Sequence, residues 1–143
     1  MSDREYPIHP RVGVGAVVIK DNKVLLVRRG VAPSKGLWAI PGGGLELGET
    51  LQQGAEREIL EETGIAIRAK EPVYSFDFIE RDDDNRIRFH YVIVDLLADY
   101  IDGEAVGGDD AAEARFLSPQ ELSELNVSKN TLRLLRAIRF ISE

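Results

Sequence analysis

Cysteine is absent from the 143 residues, and histidine occurs only twice, as His9 and His90. Disulfides, thiolate zinc sites and a cysteine nucleophile are therefore excluded, and so is a histidine-rich metal centre. No apolar run approaches the roughly 20 residues that a membrane-spanning helix needs. The opening stretch MSDREYPIHP also lacks the apolar core of a secretory leader. Positive charge is in short supply: 18 Lys and Arg face 25 Asp and Glu, leaving a net charge of −7. That balance disfavours nucleic acid or an anionic membrane as the main partner, since both want a basic face. A small anionic ligand stays compatible with it, because a bound divalent cation inverts the local field. The absences together point to a reduced, cytoplasmic setting and a small-molecule partner.

What is present reads as an ordinary globular chain, 43% hydrophobic and 30% charged, long enough for one domain over residues 1–143. RVGVGAVVIK (11–20) is β-branched and glycine-spaced, the pattern of a strand that another backbone approaches closely. Asp21 and Asn22 turn it into KVLLVRR (23–29), a hairpin. GVAPSKGLWAIPGGG (30–44) holds too much Gly and Pro for regular structure and reads as a long functional loop, with Trp38 packed beneath it. A helix is expected from Glu49 or Thr50 to Thr63, ended by Gly64 in the left-handed cap position, with Leu51, Ala55 and Ile59 as its buried stripe. Strands follow at 65–69, 73–80 and 86–98, the last two joined by a DDDN turn, with His90 a buried or edge residue. A second Gly-rich acidic loop (103–110) precedes a short strand at 114–117. Ser118 and Glu121 form a capping box for a helix to Leu125, and a last helix from Lys129 carries Leu132, Leu135 and Ile138. The chain is thus a mixed α/β fold.

The stretch AEREILEETG (55–64) raises a physical question. Glu58, Glu61 and Glu62 lie zero, three and four residues along one helix face, where like charges repel by a few tenths of a kcal/mol per pair (~0.2–0.5). Taken alone, the stretch is best explained as a solvated acidic face. Three carboxylates without a paired lysine also suit a hard, oxygen-seeking cation such as Mg²⁺ or Mn²⁺.

Spacing decides between these. Gly43 is followed after five residues by Glu49, and seven more lead to Arg57, Glu58, Ile59, any residue, Glu61, Glu62, any residue, Gly64 and Ile65. This is the Nudix box, G-x5-E-x7-R-E-U-x-E-E-x-G-U with U aliphatic. Its seven fixed letters would coincide by chance on the order of once in a billion starting points at roughly equal residue usage. The chain therefore resembles the Nudix hydrolases, and its order of elements is similar to their α/β/α sandwich with a mixed sheet. The resemblance implies Glu58 and Glu62 as metal ligands, Glu61 as a ligand directly or through water, and the Gly42 carbonyl as a further donor. It also implies that Arg57 pairs with Glu49, and that Gly43 and Gly64 shape the loop and helix end.

The family hydrolyses a nucleoside diphosphate linked to another moiety, which makes a small nucleotide the expected substrate and Mg²⁺ or Mn²⁺ the expected cofactor. The general base varies across the family between a box glutamate and an acid on a later loop. Here Asp109, Asp110 and Glu113 stand before the strand at 114–117, and Glu113 is favoured, although a solvated loop acid would look the same. Arg28 or Arg29 could reach a substrate phosphate, with plain surface charge as the alternative. Tyr74, Phe76 and Phe78 share a strand face and could stack a nucleobase, although core packing is the commoner fate. The overall pattern looks like the ADP-ribose pyrophosphatase-like branch, yet Glu80 and Arg81 stand where that group often carries proline. ADP-ribose or another nucleotide sugar is the favoured substrate. A (d)NTP pyrophosphohydrolase that sanitises the nucleotide pool is the nearest alternative, and a non-catalytic nucleotide-binding sensor is the alternative of another class. Family members are commonly dimers, so a homodimer is the assembly to test.

Overall fold

The computed structural model describes residues 4–142. Met1–Asp3, the start of the stretch read above for a leader, and Glu143 lie outside the described residues. Seven strands and three helices follow in the order β1 (Arg11–Lys20), β2 (Lys23–Arg29), β3 (Trp38–Ala39), β4 (Gly42–Gly44), α1 (Leu51–Thr63), β5 (Ala66–Arg81), β6 (Ile87–Asp102), β7 (Ala111–Leu117), α2 (Pro119–Leu122) and α3 (Lys129–Ala137). Among the described residues, no helix is long and apolar enough to cross a membrane.

Every strand pairing is antiparallel except that of β1 with β6, which runs parallel, so the sheet is mixed. The order is β3-β2-β1-β6-β5, with β7 on β2 and β4 on β1. Strand β1 has two partners on one edge. Its far end, Ile19 and Lys20, pairs with β2, while Gly13, Val14 and Gly15 pair with β4. The edge of β1 is therefore shared between the hairpin and the glycine-rich loop, and that division opens the cleft described below.

The hairpin turns through Asp21 and Asn22, both at positive φ (54° and 62°), the conformation that short polar side chains tolerate best. Helix α1 starts with a capping box in which the Thr50 side chain accepts from the Gln53 N–H and the Gln53 side chain accepts from the Thr50 N–H. It ends where Gly64 takes a φ of 76°, as the left-handed cap position requires. Ala55 and Ile59 are fully buried beneath it and pack with Val14, Ala16, Val18 and Leu96 on one face of the sheet. On the opposite face, Leu122, Leu134 and Leu135 from α2 and α3 pack with Val17, Leu26 and Trp38. Helices cover both faces, and the architecture is the expected α/β/α sandwich.

Several boundaries differ from the expectation, among them β6, which runs on to Asp102 where residue 98 was the expected end. The stretch 30–44 contains β3 and β4, because a backbone rich in glycine can still pair where a neighbouring edge offers hydrogen bonds. Residues 66–81 form one long strand, with register shifts on both sides of Pro72 absorbing its missing N–H. Strand β7 begins at Ala111, so Glu113 lies in a strand. Helix α2 stops at Leu122, and in α3 it is Leu134, beside Leu135, that is fully buried. Trp38 is buried as expected, at 4% exposure.

Ile59 anchors the acidic helix. Ile59→Ala should cost about 2–5 kcal/mol of stability through lost burial and the residual cavity, measurable by urea denaturation. An unchanged midpoint would mean that α1 is held by something other than this stripe.

Candidate active site

Arg57 organises one end of the cleft. Its Nε and Nη2 donate to the two carboxylate oxygens of Glu49 at 2.6 and 2.9 Å, a bidentate fork. Nη2 also donates to the Gly44 carbonyl, and Nη1 donates to Glu58 at 2.8 Å. One side chain thus ties the glycine loop and Glu49, just before the helix cap, to the middle of α1. With Arg57 and the Glu46 N–H both donating to it, the Glu49 carboxyl is held down at about 2. The same acids push the Arg57 guanidinium further up.

The three box glutamates do not share one environment. Glu62 is buried at 5% exposure and accepts the Gly42 N–H at 3.0 Å. Burial pushes its carboxyl up to about 7. Burial also raises Glu58, against the pull of Arg57. A Cβ on Gly43 would overlap the Glu58 carboxylate, so only glycine lets the loop lie this close to the acid. Glu61 stands on the Arg57 side, 3.5 Å from Nη1, and is half exposed.

A cavity of about 520 Å³ opens in front of Glu58 and Glu62. Arg29, Asp109 and Asp110 complete its acidic end. Its floor is the sheet face carrying Gly13, Ile93, Phe76, Phe78 and Tyr91, and Asp95 stands at the end of that floor. Ser128, Asn130 and Thr131, at the start of α3, line the other side. Arg29 is largely buried, which lowers its pKa, with Glu62 and Asp110 acting in the opposite direction. Asp110 pairs with Arg4 at 2.9 Å.

Several candidates fall elsewhere. Arg28 and Arg29 are consecutive in a strand and point to opposite faces, so only Arg29 reaches the cavity. Arg28 instead donates to Glu113 at 3.2 Å across β2 and β7, and neither lines the cavity. Of the three aromatics on β5, Phe76 and Phe78 line the cavity, whereas Tyr74 packs against the core beneath α3. Glu61 is likewise not part of the lining. Among the described residues, no three acids or histidines converge into a ready-made cation cage.

Asp95 escaped the sequence reading. It is 3% exposed, burial alone pushes its carboxyl up to about 7, and among the described residues that carboxyl has no hydrogen-bond or ion-pair partner. A single acid within the otherwise apolar run YVIVDLLA (91–98) was the signal available.

A model of the NUDIX domain matches residues 9–138. An ADP-ribose pyrophosphatase of Methanocaldococcus jannaschii is 40% identical over 118 residues, covering 82% of this chain and 68% of that protein. The chain spans between 40% and 68% of the lengths of the first curated relatives it matches. The crystal structure of a MutT NUDIX hydrolase from Burkholderia pseudomallei superposes with a TM-score of 0.77 at 29% identity, covering 91% of this chain and 98% of that one. A bifunctional NMN adenylyltransferase/ADP ribose pyrophosphatase of Francisella tularensis, complexed with AMP and a manganese ion, gives a TM-score of 0.67 at 25% identity over 92% of this chain and 41% of that one.

The buried acids make stability depend on pH. Glu62 is shifted up from its usual 4.5, so the folded state holds that proton more tightly than the unfolded chain. Its contribution is complete below pH 4.5 and is lost as pH rises through about 7; Asp95 acts in the same direction. Metal-free protein should therefore lose stability from pH 4.5 to above 7. Glu62→Gln should recover on the order of 2–3 kcal/mol of it at pH 8, read from urea melts. Parallel curves for the two proteins would show that Glu62 does not carry the burial cost.

Proposed function

The chain belongs to the Nudix hydrolase family, and from that premise we propose that it hydrolyses the pyrophosphate bond of a nucleotide sugar, ADP-ribose first. The observation that carries this reading is the two-ended cavity, with Glu58, Glu62 and Arg29 at one end and an apolar aromatic floor beyond them. A nucleotide with an anionic centre and a planar base matches both ends. The 40% identity to an archaeal ADP-ribose pyrophosphatase supports the choice of substrate.

Glu58, Glu62 and the Gly42 carbonyl would hold Mg²⁺ or Mn²⁺, with Glu61 joining directly or through water. The donor set fits: Glu62 is a buried carboxylate with a single backbone donor, an arrangement that favours a cationic partner. Few protein oxygens suffice for Mg²⁺, which keeps several waters and shares itself with substrate phosphates. When bound, the cation supplies charge neutralisation at the phosphates and activation of water. Arg57 keeps the loop and acids in place, and Arg29 offers positive charge to the phosphates. Phe76 and Phe78 offer the base a stacking surface.

The proton of the attacking water goes to Asp109. Its carboxylate lines the cavity, makes no hydrogen bond or ion pair among the described residues, and is close enough to Glu58 to influence it electrostatically. Glu113, favoured on sequence alone, is occupied by Arg28 away from the cavity. A (d)NTP pyrophosphohydrolase is the second reading, supported by the MutT NUDIX hydrolase matched along 98% of its length. The cysteine-free composition supports a cytoplasmic setting.

The test is product analysis with Mg²⁺ over ADP-ribose, GDP- and UDP-sugars and (d)NTPs. AMP and ribose 5-phosphate as the best-formed products support the nucleotide-sugar reading, while pyrophosphate from one (d)NTP moves the enzyme to the second. Glu62→Gln should abolish Mg²⁺-dependent turnover with the fold intact. Asp109→Asn should lower kcat by about 10²–10⁴ and Glu113→Gln should leave it unchanged. The reverse pattern would return the base to Glu113.

A further inference from the structure

The floor of the cavity has a built end. On β1 the positions facing it are Gly13 and Gly15, and the neighbouring strand β6 lays a side chain across each. Ile93 lies over Gly13, and the Asp95 carboxylate lies over Gly15, where a Cβ would overlap its Oδ1. Phe76 pairs with Ile93, and Phe78 with Tyr91, in the β5–β6 register. The result is a low apolar platform with one acid at its end, two residues or roughly 7 Å along β6 from Ile93.

That acid is costly as it stands. A residue 3% exposed whose carboxyl has no hydrogen-bond partner among the described residues gives up most of its solvation. The access its oxygens keep is to the cavity that it lines. The Pro41 carbonyl lines the cavity beside it, 2.8 Å from the place a Gly15 Cβ would take. That carbonyl accepts the Ala16 N–H at 3.3 Å and has a second lone pair. Two acceptors therefore converge beside the platform, next to the apolar Ile40 side chain, and among the described residues Asp95 has no side-chain donor. Two acceptors on one cavity wall suit a ligand group with two N–H donors. A sugar would bring hydroxyls but would leave others unpaired against the aromatic floor, whereas a planar base buries its faces there and presents only an edge.

We propose that Asp95 is a specificity residue that reads the amino edge of an adenine base lying on the Phe76–Ile93 platform. The 6-amino group donates one hydrogen to an Asp95 carboxyl oxygen and the other to the Pro41 carbonyl. The carboxyl O–H donates to the adjacent ring nitrogen, which only accepts. A base held by this carboxyl turns its 6-substituent to the Pro41 carbonyl, which only accepts. Hypoxanthine and guanine set a 6-oxo group against it, acceptor facing acceptor, so both are disfavoured. Burial, which keeps the carboxyl protonated up to about pH 7, suits this role. The inference rests on the nucleotide-sugar reading above and names the base that such a substrate carries.

The test separates base reading from turnover. AMP, IMP and GMP are titrated by NMR into metal-free wild type, Asp95→Leu and Asp95→Asn, and kcat/KM is measured with Mg²⁺ for ADP-ribose and its inosine analogue. The wild type should bind AMP about 10–100-fold more tightly than IMP or GMP, the range expected for a hydrogen-bonding edge left unpaired. Asp95→Leu should bring the ratios near one, with the loss in KM and little change in kcat. Asp95→Asn, which keeps one donor and one acceptor, should restore most of the preference for AMP. Equal binding of AMP and IMP by the wild type, a preference for GMP, an unaltered preference in Asp95→Leu, or no binding of any of the three would overturn the assignment. If Asp95→Leu does not fold, the wild-type ratios and their retention in Asp95→Asn decide. Loss of the preference in a folded Asp95→Asn overturns it as well. Adenine-selective binding without hydrolysis of any nucleotide sugar would leave Asp95 in its role and remove the proposed reaction instead.

Discussion

The fork between Arg57 and Glu49 is the contact on which the site depends. A helix carrying Glu58, Glu61 and Glu62 within five residues works against itself, and a loop made of Gly42, Gly43 and Gly44 has little side-chain packing to hold it. Arg57 addresses both difficulties. Its guanidinium spans Glu49, the Gly44 carbonyl and Glu58, so the loop and helix share one rigid, charged hub. A lysine could supply the charge but not the planar fork that reaches three elements at once. Remove the hub, and among the described residues the glycine loop is left with its short backbone pairing to β1 and the Gly42–Glu62 hydrogen bond.

Desolvation is the second constraint, and it acts at both ends of the cavity. Glu62 and Asp95 are each almost fully buried, and each is pushed up to about 7. The causes differ in a telling way. Glu62 has the Gly42 N–H and the more distant Arg29 to offset its burial, whereas Asp95 has burial alone. Two acids that weaken the empty protein at neutral pH are a cost that a bound ligand can repay, because ligand binding stabilises the state that binds it. Glycine makes room for two of the site's acids: a Cβ on Gly15 would overlap the Asp95 carboxylate and one on Gly43 would overlap that of Glu58.

How much of this was visible in the sequence follows from the range of the interactions. The helix from Leu51 to Thr63, its capping residues, the Glu49–Arg57 pairing and the hairpin turn at Asp21–Asn22 all rest on contacts within about a dozen residues. Local residue patterns expose the helix, its caps and the turn, and the resemblance to the Nudix box implies the Glu49–Arg57 pairing. The misread parts depend on partners far along the chain. Strands β3 and β4 form because β2 and β1 present open edges to them, and no local propensity in GLWAIPGGG announces that. Glu113 looked like a loop acid until β7 was seen to pair with β2, which sets it opposite Arg28. Asp95 is the sharpest case. Its signal was one letter in an apolar run, and its meaning needs Gly15 eighty positions earlier.

The division of β1 connects these two kinds of information. One half of this strand pairs with the glycine loop and so belongs to the acidic end, whose geometry the box encodes locally. Along its other edge the strand runs parallel to β6, whose side chains cover Gly13 and Gly15 and form the floor. On the proposed function, reaction chemistry and substrate choice would therefore be built on opposite edges of a single strand. Substitutions on β5 and β6 can change what lies on the floor without disturbing the Arg57 hub. A compact motif is thereby free to keep one chemistry while the long-range part of the sheet decides which molecule reaches it.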